Sequence, residues 1–125
     1  MITSSATTHL HFKQQKTAIE RSKQSSSLRK SYPDRVPVIV DRHQSEKILP
    51  QLAKQKYLVP GNMTLGNFVS VIREKLPKFG QMSITIFCRN VQIGNMSTTL
   101  SEISQKMSDR DGFVYLEYMG ESTFG

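Results

Sequence analysis

The side chains best suited to nucleophilic or metal chemistry are one cysteine and three histidines. Cys88 ends an apolar segment, so we expect a buried structural thiol in a strand. His9, His11 and His43 lie in polar segments, without a Ser–His–Asp spacing or a phosphate-binding glycine loop. His9-x-His11 alone is a weak metal motif, and one cysteine excludes an internal disulfide and a cysteine-based zinc site. The sequence therefore predicts no enzyme, no cofactor and no bound metal.

Charge is distributed unevenly between the two halves of the chain. The 125 residues include 17 Lys and Arg against 10 Asp and Glu, a formal net charge of +7. Residues 1–60 hold eleven basic and four acidic residues, whereas residues 61–125 hold six of each. A basic first half indicates a solvated surface or an acidic partner: nucleic acid, anionic lipid or an acidic peptide. Nucleic acid is the weakest choice, because Tyr32 is the only aromatic residue between positions 13 and 56.

The composition favours one folded domain with a polar extension. Hydrophobic residues make up 37% and charged residues 22% of the chain, which is enough for a modest core. No apolar run approaches the roughly 20 residues of a transmembrane helix. The start, Met1-Ile2-Thr3, lacks the pattern of a secretory signal and the glycine needed for myristoylation. We therefore expect a cytoplasmic location.

The elements of the first half must position any binding site. Residues 12–31 read as helical but contain few apolar residues, so such a segment must be held by packing onto something else. A turn follows at Pro33. Two β-branched runs, residues 36–40 and 56–59, predict strands, with Pro37 at an edge or among the first residues of its strand.

The second half contains the clearest helix, which Thr64 caps. Its apolar residues recur at helical spacing: Leu65, Phe68, Val69, Ile72 and Leu76. Pro77 and Gly80 end it. A strand over residues 83–88, a short helix opened by the capping box Thr99-Leu100-Ser101-Glu102, and a strand over residues 113–118 follow. This order is that of an α+β ubiquitin-like β-grasp, with a four-stranded mixed sheet and a helix across one face.

Four motifs stand in order along the chain: Tyr32-Pro33-Asp34-Arg35-Val36-Pro37-Val38-Ile39-Val40, Lys56-Tyr57-Leu58-Val59-Pro60, Asp111-Gly112-Phe113-Val114-Tyr115 and Thr123-Phe124-Gly125. Together they resemble the autophagy ubiquitin-like modifiers, the family of the microtubule-associated light chains and GABARAP. The resemblance is closer to the light-chain branch, with some GABARAP-like motifs. It implies a flexible segment 1–11, two N-terminal helices within 12–31, a ubiquitin-like domain 32–118 and a flexible tail 119–125.

The resemblance implies a modifier that is joined through Gly125 to phosphatidylethanolamine on autophagosomal membranes. A terminal glycine suits this chemistry, because no side chain obstructs a narrow enzyme tunnel. The implied partners are activating and conjugating enzymes, a processing cysteine protease, the membrane, microtubules, and receptors with an aromatic-x-x-aliphatic motif. The chain would then be cytoplasmic, and on the autophagosome membrane when lipidated.

The resemblance also assigns two apolar pockets beside the second strand, whose exposed edge can accept an extended peptide. The aromatic pocket would comprise Leu28, Pro37, Ile39, Lys56, Leu58 and Phe113. The aliphatic pocket would comprise Tyr57, Val59, Pro60, Met63, Phe68, Val71 and Ile72, of which Phe68 and Ile72 also belong to the helix stripe. Acidic residues flanking the peptide motif would pair with Arg35, Lys54 and Lys56.

Two other classes of function stay open from the sequence. One is an unconjugated trafficking or cytoskeletal scaffold with the same groove. The other is a basic nucleic-acid-binding module, whose affinity would fall steeply with salt.

Overall fold

A computed structural model describes residues 11–79 and 81–121. The predictions for residues 1–10, Gly80 and the end of the tail, including Gly125, lie outside the described residues. The elements in chain order are helices α1 (Phe12–Gln15) and α2 (Ala18–Ser31), strands β1 (Arg35–Arg42) and β2 (Lys56–Pro60), helix α3 (Leu65–Glu74), a 3-10 turn (Pro77–Phe79), strands β3 (Ile84–Cys88) and β4 (Val91–Ile93), helix α4 (Leu100–Met107) and strand β5 (Val114–Gly120).

The strands form one mixed sheet in the order β2-β1-β5-β3-β4. β1 pairs antiparallel with β2 and parallel with β5, and β3 pairs antiparallel with β5 and β4. The predicted β-grasp order, the first hairpin and the two N-terminal helices are therefore confirmed. β5 continues to Gly120, two residues beyond the predicted end of that strand.

The predicted count of four strands is wrong, because β4 adds a fifth. β4 has only three residues, Val91–Ile93, which is too short for its apolar-polar-apolar order to stand out as a strand pattern. The turn before it places Arg89 (φ 52°) and Asn90 (φ 64°) in the left-handed region. Hairpin turns of this kind are usually marked by glycine, and here Asn90 alone is a typical turn residue, so the turn signal is weak.

Pro37 lies at the start of a central strand and not at a sheet edge. The Val40 N–H donates to the Gln55 carbonyl at 2.8 Å, which directs the even-numbered residues of β1 toward β2. The Pro37 nitrogen therefore faces the β5 side, where pairing begins only at Val38. The missing N–H of Pro37 thus costs no hydrogen bond of the sheet. Of the two predicted placements, an edge or the first residues of the strand, the structure shows the second.

The main core lies between the sheet and α3. The five residues of the predicted apolar stripe are all buried there: Leu65, Phe68, Val69, Ile72 and Leu76. Both predicted caps are confirmed. The Thr64 hydroxyl accepts from the Asn67 N–H at 3.2 Å, and the side chains of Thr99 and Glu102 each accept from the other's backbone N–H.

Helix α2 is attached largely by hydrogen bonds. Its exposed face carries Ile19, which is 69% exposed. Its inward face carries Arg21, Ser25 and Arg29, which share one side because they are four residues apart. The Ser25 hydroxyl donates to the Asp111 carbonyl, and the Arg29 guanidinium donates to the Gly112 carbonyl at 2.7 Å. The low apolar content of the helix follows from this polar attachment.

Asp111 makes the largest number of these hydrogen bonds. The residue is 4% exposed, and its side chain accepts from Arg21 Nε at 2.9 Å, from the Phe113 N–H at 2.9 Å and from the Tyr115 hydroxyl at 2.5 Å. Gly112 follows with φ +89°, and a Cβ there would lie 2.4 Å from Ser25 Oγ. The helix and this loop therefore fit only with glycine at position 112.

We predict that Asp111→Asn lowers the free energy of unfolding by about 1–3 kcal/mol, because the amide NH2 would face donors where a carboxylate now accepts. Urea unfolding followed by circular dichroism measures it. Asp34→Asn is the matched control, since Asp34 is exposed and the change should stay within about 0.5 kcal/mol. Equal free energies of unfolding for the two variants would contradict a stabilising role of the Asp111 carboxylate.

Candidate peptide-binding site

Strand β2 is one edge of the sheet. Since the Gln55 carbonyl points to β1, alternation directs the backbone groups of Tyr57 and Val59 to β1 and those of Lys56 and Leu58 outward. The Leu58 carbonyl also accepts from Arg35 Nη1 at 3.3 Å. Pro60 has no N–H, so an added strand would find its partners at Lys56 and Leu58.

The face of the sheet beneath α1 and α2, here called the N-terminal face, holds the predicted aromatic-pocket residues. Ile39 and Phe113 are buried in one cluster, and Leu28 packs against it. The strand register sets Pro37 opposite Leu58 and Ile39 opposite Lys56. The six predicted residues are thus brought to one region of this face.

Phe12 is a member of this cluster that the pocket prediction missed. Its ring lies 5.1 Å from the ring of Phe113 in an edge-to-face arrangement and anchors α1 to the sheet. The available signal was that Phe12 is the only apolar residue of α1.

The opposite, core face of β2 divides the predicted aliphatic-pocket residues into two groups. Four are buried in the main core: Tyr57, Val59, Phe68 and Ile72. The Tyr57 ring meets the Phe68 ring edge-on at 5.8 Å. The other three are half-buried at the surface: Met63 and Val71 beside the core face, and Pro60, which alternation along β2 places on the same face as Leu58. A ligand on the core face would therefore contact Met63 and Val71, with the buried group as their support.

Basic side chains lie along β2. Arg35 donates a hydrogen bond to the Leu58 carbonyl, and Lys54 Nζ lies 5.0 Å from the centre of the Tyr57 ring. Lys56 is half-buried on β2. Lys75 Nζ lies 5.9 Å from the same Tyr57 ring, and the sequence prediction missed it. Its signal was the Arg73-Glu74-Lys75 run at the end of α3.

Three of the four residues considered for nucleophilic or metal chemistry have structural contacts, and the fourth, His9, lies outside the described residues. Cys88 is buried as predicted, and burial raises the pKa of its thiol to about 11, with Arg89 opposing the rise and Glu117 adding to it. His11 Nδ1 lies 3.3 Å from Asp41 Oδ2, and the His43 ring packs 4.9 Å from the Phe87 ring. Within residues 11–79 and 81–121, no three His, Cys, Asp or Glu residues are grouped to hold a metal.

Within the part of the chain that the structure describes, none of the helices has the length and apolar character needed to cross a bilayer.

Comparison with known proteins gives a consistent class. The family model "Autophagy protein Atg8 ubiquitin like" matches residues 20–125. A crystal structure of Trypanosoma brucei ATG8 matches with a TM-score of 0.84 and 30% identity, covering 94% of this chain and 99% of that one. The fold and these matches define a ubiquitin-like protein of autophagy.

Individual relatives agree. The human microtubule-associated protein 1 light chain 3 gamma is 36% identical over 114 residues, which are 91% of this chain and 78% of that protein. Autophagy-related protein 8c of Arabidopsis thaliana is 39% identical over 114 residues, which are 91% of this chain and 94% of that protein. The chain belongs to the Atg8 family. Its place nearer the light-chain branch stays a prediction.

We predict that Cys88 resists thiol reagents in the folded protein. With a pKa of about 11, roughly one thiol in a thousand is ionised at pH 8. Labelling with iodoacetamide at pH 8 should be at least about 100-fold slower in buffer than in urea, with Cys88→Ser as the unlabelled control. Equal rates in both solvents would show an accessible, reactive thiol.

Proposed function

We propose that this chain is a ubiquitin-like modifier of autophagy that also captures short receptor peptides by β-strand addition. Membership of the Atg8 family supports the class. The observation that carries peptide capture is the β2 edge, with outward backbone groups at Lys56 and Leu58 and apolar residues on both faces beside it.

The spacing of an aromatic-x-x-aliphatic motif fits this edge. In an extended strand, successive side chains alternate between faces, so residues three apart point to opposite sides. A peptide added to β2 would thus direct its aromatic residue to the N-terminal face, near Leu28 and Leu58. Its aliphatic residue would point to the other side, near Met63 and Val71.

Basic side chains near the groove favour acidic residues beside the motif. Arg35, Lys54, Lys56 and Lys75 are the candidates. Each exposed pair contributes only about 0–1 kcal/mol, so these charges act mainly on selectivity and association rate. Affinity for such a peptide should fall mildly with salt, in contrast to the steep fall expected of a nucleic-acid module.

Conjugation would use Gly125. Its carboxylate attacks the α-phosphorus of ATP and releases pyrophosphate, an enzyme thiol then displaces AMP, and the amine of phosphatidylethanolamine finally displaces the thiol to form an amide. The thiols and the ATP site belong to the activating and conjugating enzymes, so this chain is the substrate. A two-chain lipid gives stable anchoring, which a single acyl chain does not. A cysteine protease would expose Gly125 before conjugation, or release the chain from the lipid afterwards.

The alternative is an unconjugated trafficking or cytoskeletal scaffold, with microtubules among its partners, that uses the same groove. The two functions share peptide binding and differ in the fate of Gly125. They also differ in location, since only the conjugated form would be held on autophagosome membranes.

We predict that Leu58→Pro weakens peptide binding about five- to tenfold more than Leu58→Ala, because both variants lose the side chain but only proline loses the outward N–H. Isothermal titration with an acidic peptide containing a Trp-x-x-Leu core measures the difference. The Leu58 N–H faces away from β1, so the proline leaves the β1–β2 ladder paired. Equal affinities of the two variants would rule out strand addition at this edge.

A further inference from the structure

A buried carboxylate lies where the chain leaves the sheet. Glu46 is 3% exposed, although it belongs to the connection between β1 and β2. Its Oε1 accepts from the Gly120 N–H at 2.6 Å, and its Oε2 accepts from the N–H groups of Ile48 and Leu49, both at 2.7 Å. One side chain thus joins the β1–β2 connection to the last residue of β5.

The hydrogen bond from Gly120 to Glu46 continues the β1–β5 pairing past the point where β1 ends. The last backbone bond between the two segments is from the His43 N–H to the Tyr118 carbonyl at 2.9 Å. By alternation, the Gly120 N–H points to the same side, beyond the end of β1. A turn from His43 to Glu46, closed by the Glu46 N–H on the His43 carbonyl at 2.9 Å, places the carboxylate there. Glu46 supplies the acceptor that a longer β1 would have supplied.

Position 120 is also closely packed. A Cβ on Gly120 would lie 2.3 Å from Met82 Sδ and 3.3 Å from Leu49 Cδ1. On the other side of β5, the Glu121 N–H donates to the Ser83 carbonyl at 2.9 Å. The strand end is therefore held from both sides.

The five residues after Gly120 can span at most about 17 Å when fully extended. The place where Gly125 can be presented is therefore set by where the chain leaves the sheet.

We propose that Glu46 is a positioning residue for the C-terminal tail, which fixes the point and direction from which Gly125 is offered to the activating enzyme. This inference rests on the proposed conjugation. Without the carboxylate, the last residues of β5 keep their hydrogen bonds to β3, but the Gly120 N–H loses its acceptor on the β1 side. An enzyme must then select one tail position from several, which raises KM and leaves the chemical step unchanged.

The test compares Glu46→Gln with Glu102→Gln in the full chain. Both changes replace a carboxylate that accepts from a backbone N–H, and Glu102 does so at the start of α4, away from the tail. An amide has one acceptor oxygen, so it cannot serve Gly120 and the Ile48–Leu49 pair together. The first measurement is hydrogen exchange of the Gly120 amide by NMR, where Glu46→Gln should exchange about tenfold faster than wild type. Glu102→Gln should exchange like wild type.

The second measurement is ATP-dependent activation by the family's activating enzyme, followed as pyrophosphate release. Glu46→Gln should raise KM about five- to tenfold with kcat within about twofold, and Glu102→Gln should change neither. Should Glu46→Gln fail to fold, Gly120→Pro and Gly120→Ala form a second pair. Both carry a Cβ against Met82, and only proline lacks the donor, so its KM should be the higher.

Unchanged Gly120 exchange, or an unchanged KM in a reacting Glu46→Gln chain, would overturn the positioning role. Equal KM values for the two Gly120 variants would do the same. A wild-type chain that is not activated would instead overturn the proposed function, and the enzyme-free exchange measurement distinguishes this from failure of the Glu46 contact.

Discussion

The Asp111 carboxylate joins the N-terminal helices to the ubiquitin-like sheet, and the groove proposed to bind peptides depends on that junction. Helix α2 contributes Leu28 to the aromatic cluster but has no continuous apolar face, so its place is set largely by Arg21, Ser25 and Arg29 on the loop at Asp111 and Gly112. The same carboxylate orients the start of β5 through the Phe113 N–H. Helix α2 packs on one side of the aromatic cluster, and residues of β1 and β5 lie beneath it. The polar contacts at Asp111 therefore keep the apolar residues of this cluster in position.

Two buried carboxylates thus act at the two ends of β5. Asp111 fixes the end beside the proposed peptide groove, and Glu46 holds the end from which the chain continues toward Gly125. In each case a charge is buried with several backbone or side-chain donors, which is the condition under which a buried carboxylate is tolerated. Strand β5, in the middle of the sheet, therefore links the end beside the proposed peptide groove to the end from which the chain continues toward Gly125.

Local patterns were enough to predict most of the fold. The α3 stripe and the caps at Thr64 and Thr99 are each encoded within a few residues, and the two β-branched runs of the first hairpin are each visible as a local pattern. Strand β4 was missed because a strand of three residues after a turn without glycine is too short to show a repeating pattern. The contacts of α2 were missed because polar residues four apart also describe a solvated face, and their partners lie more than eighty residues away in sequence. Glu46 was missed for the same reason, because only the folded chain brings it to Gly120.

The most direct measurement of the modifier function is reconstitution with the activating and conjugating enzymes, ATP and phosphatidylethanolamine liposomes, with Gly125→Ala as the matched variant. Mass spectrometry of the products should show a gain of one phospholipid on the wild-type chain and none on the variant, because the tunnel that admits glycine excludes a side chain. No adduct on the wild-type chain, while a validated relative reacts in the same tube, would contradict the modifier function and leave a peptide-binding scaffold.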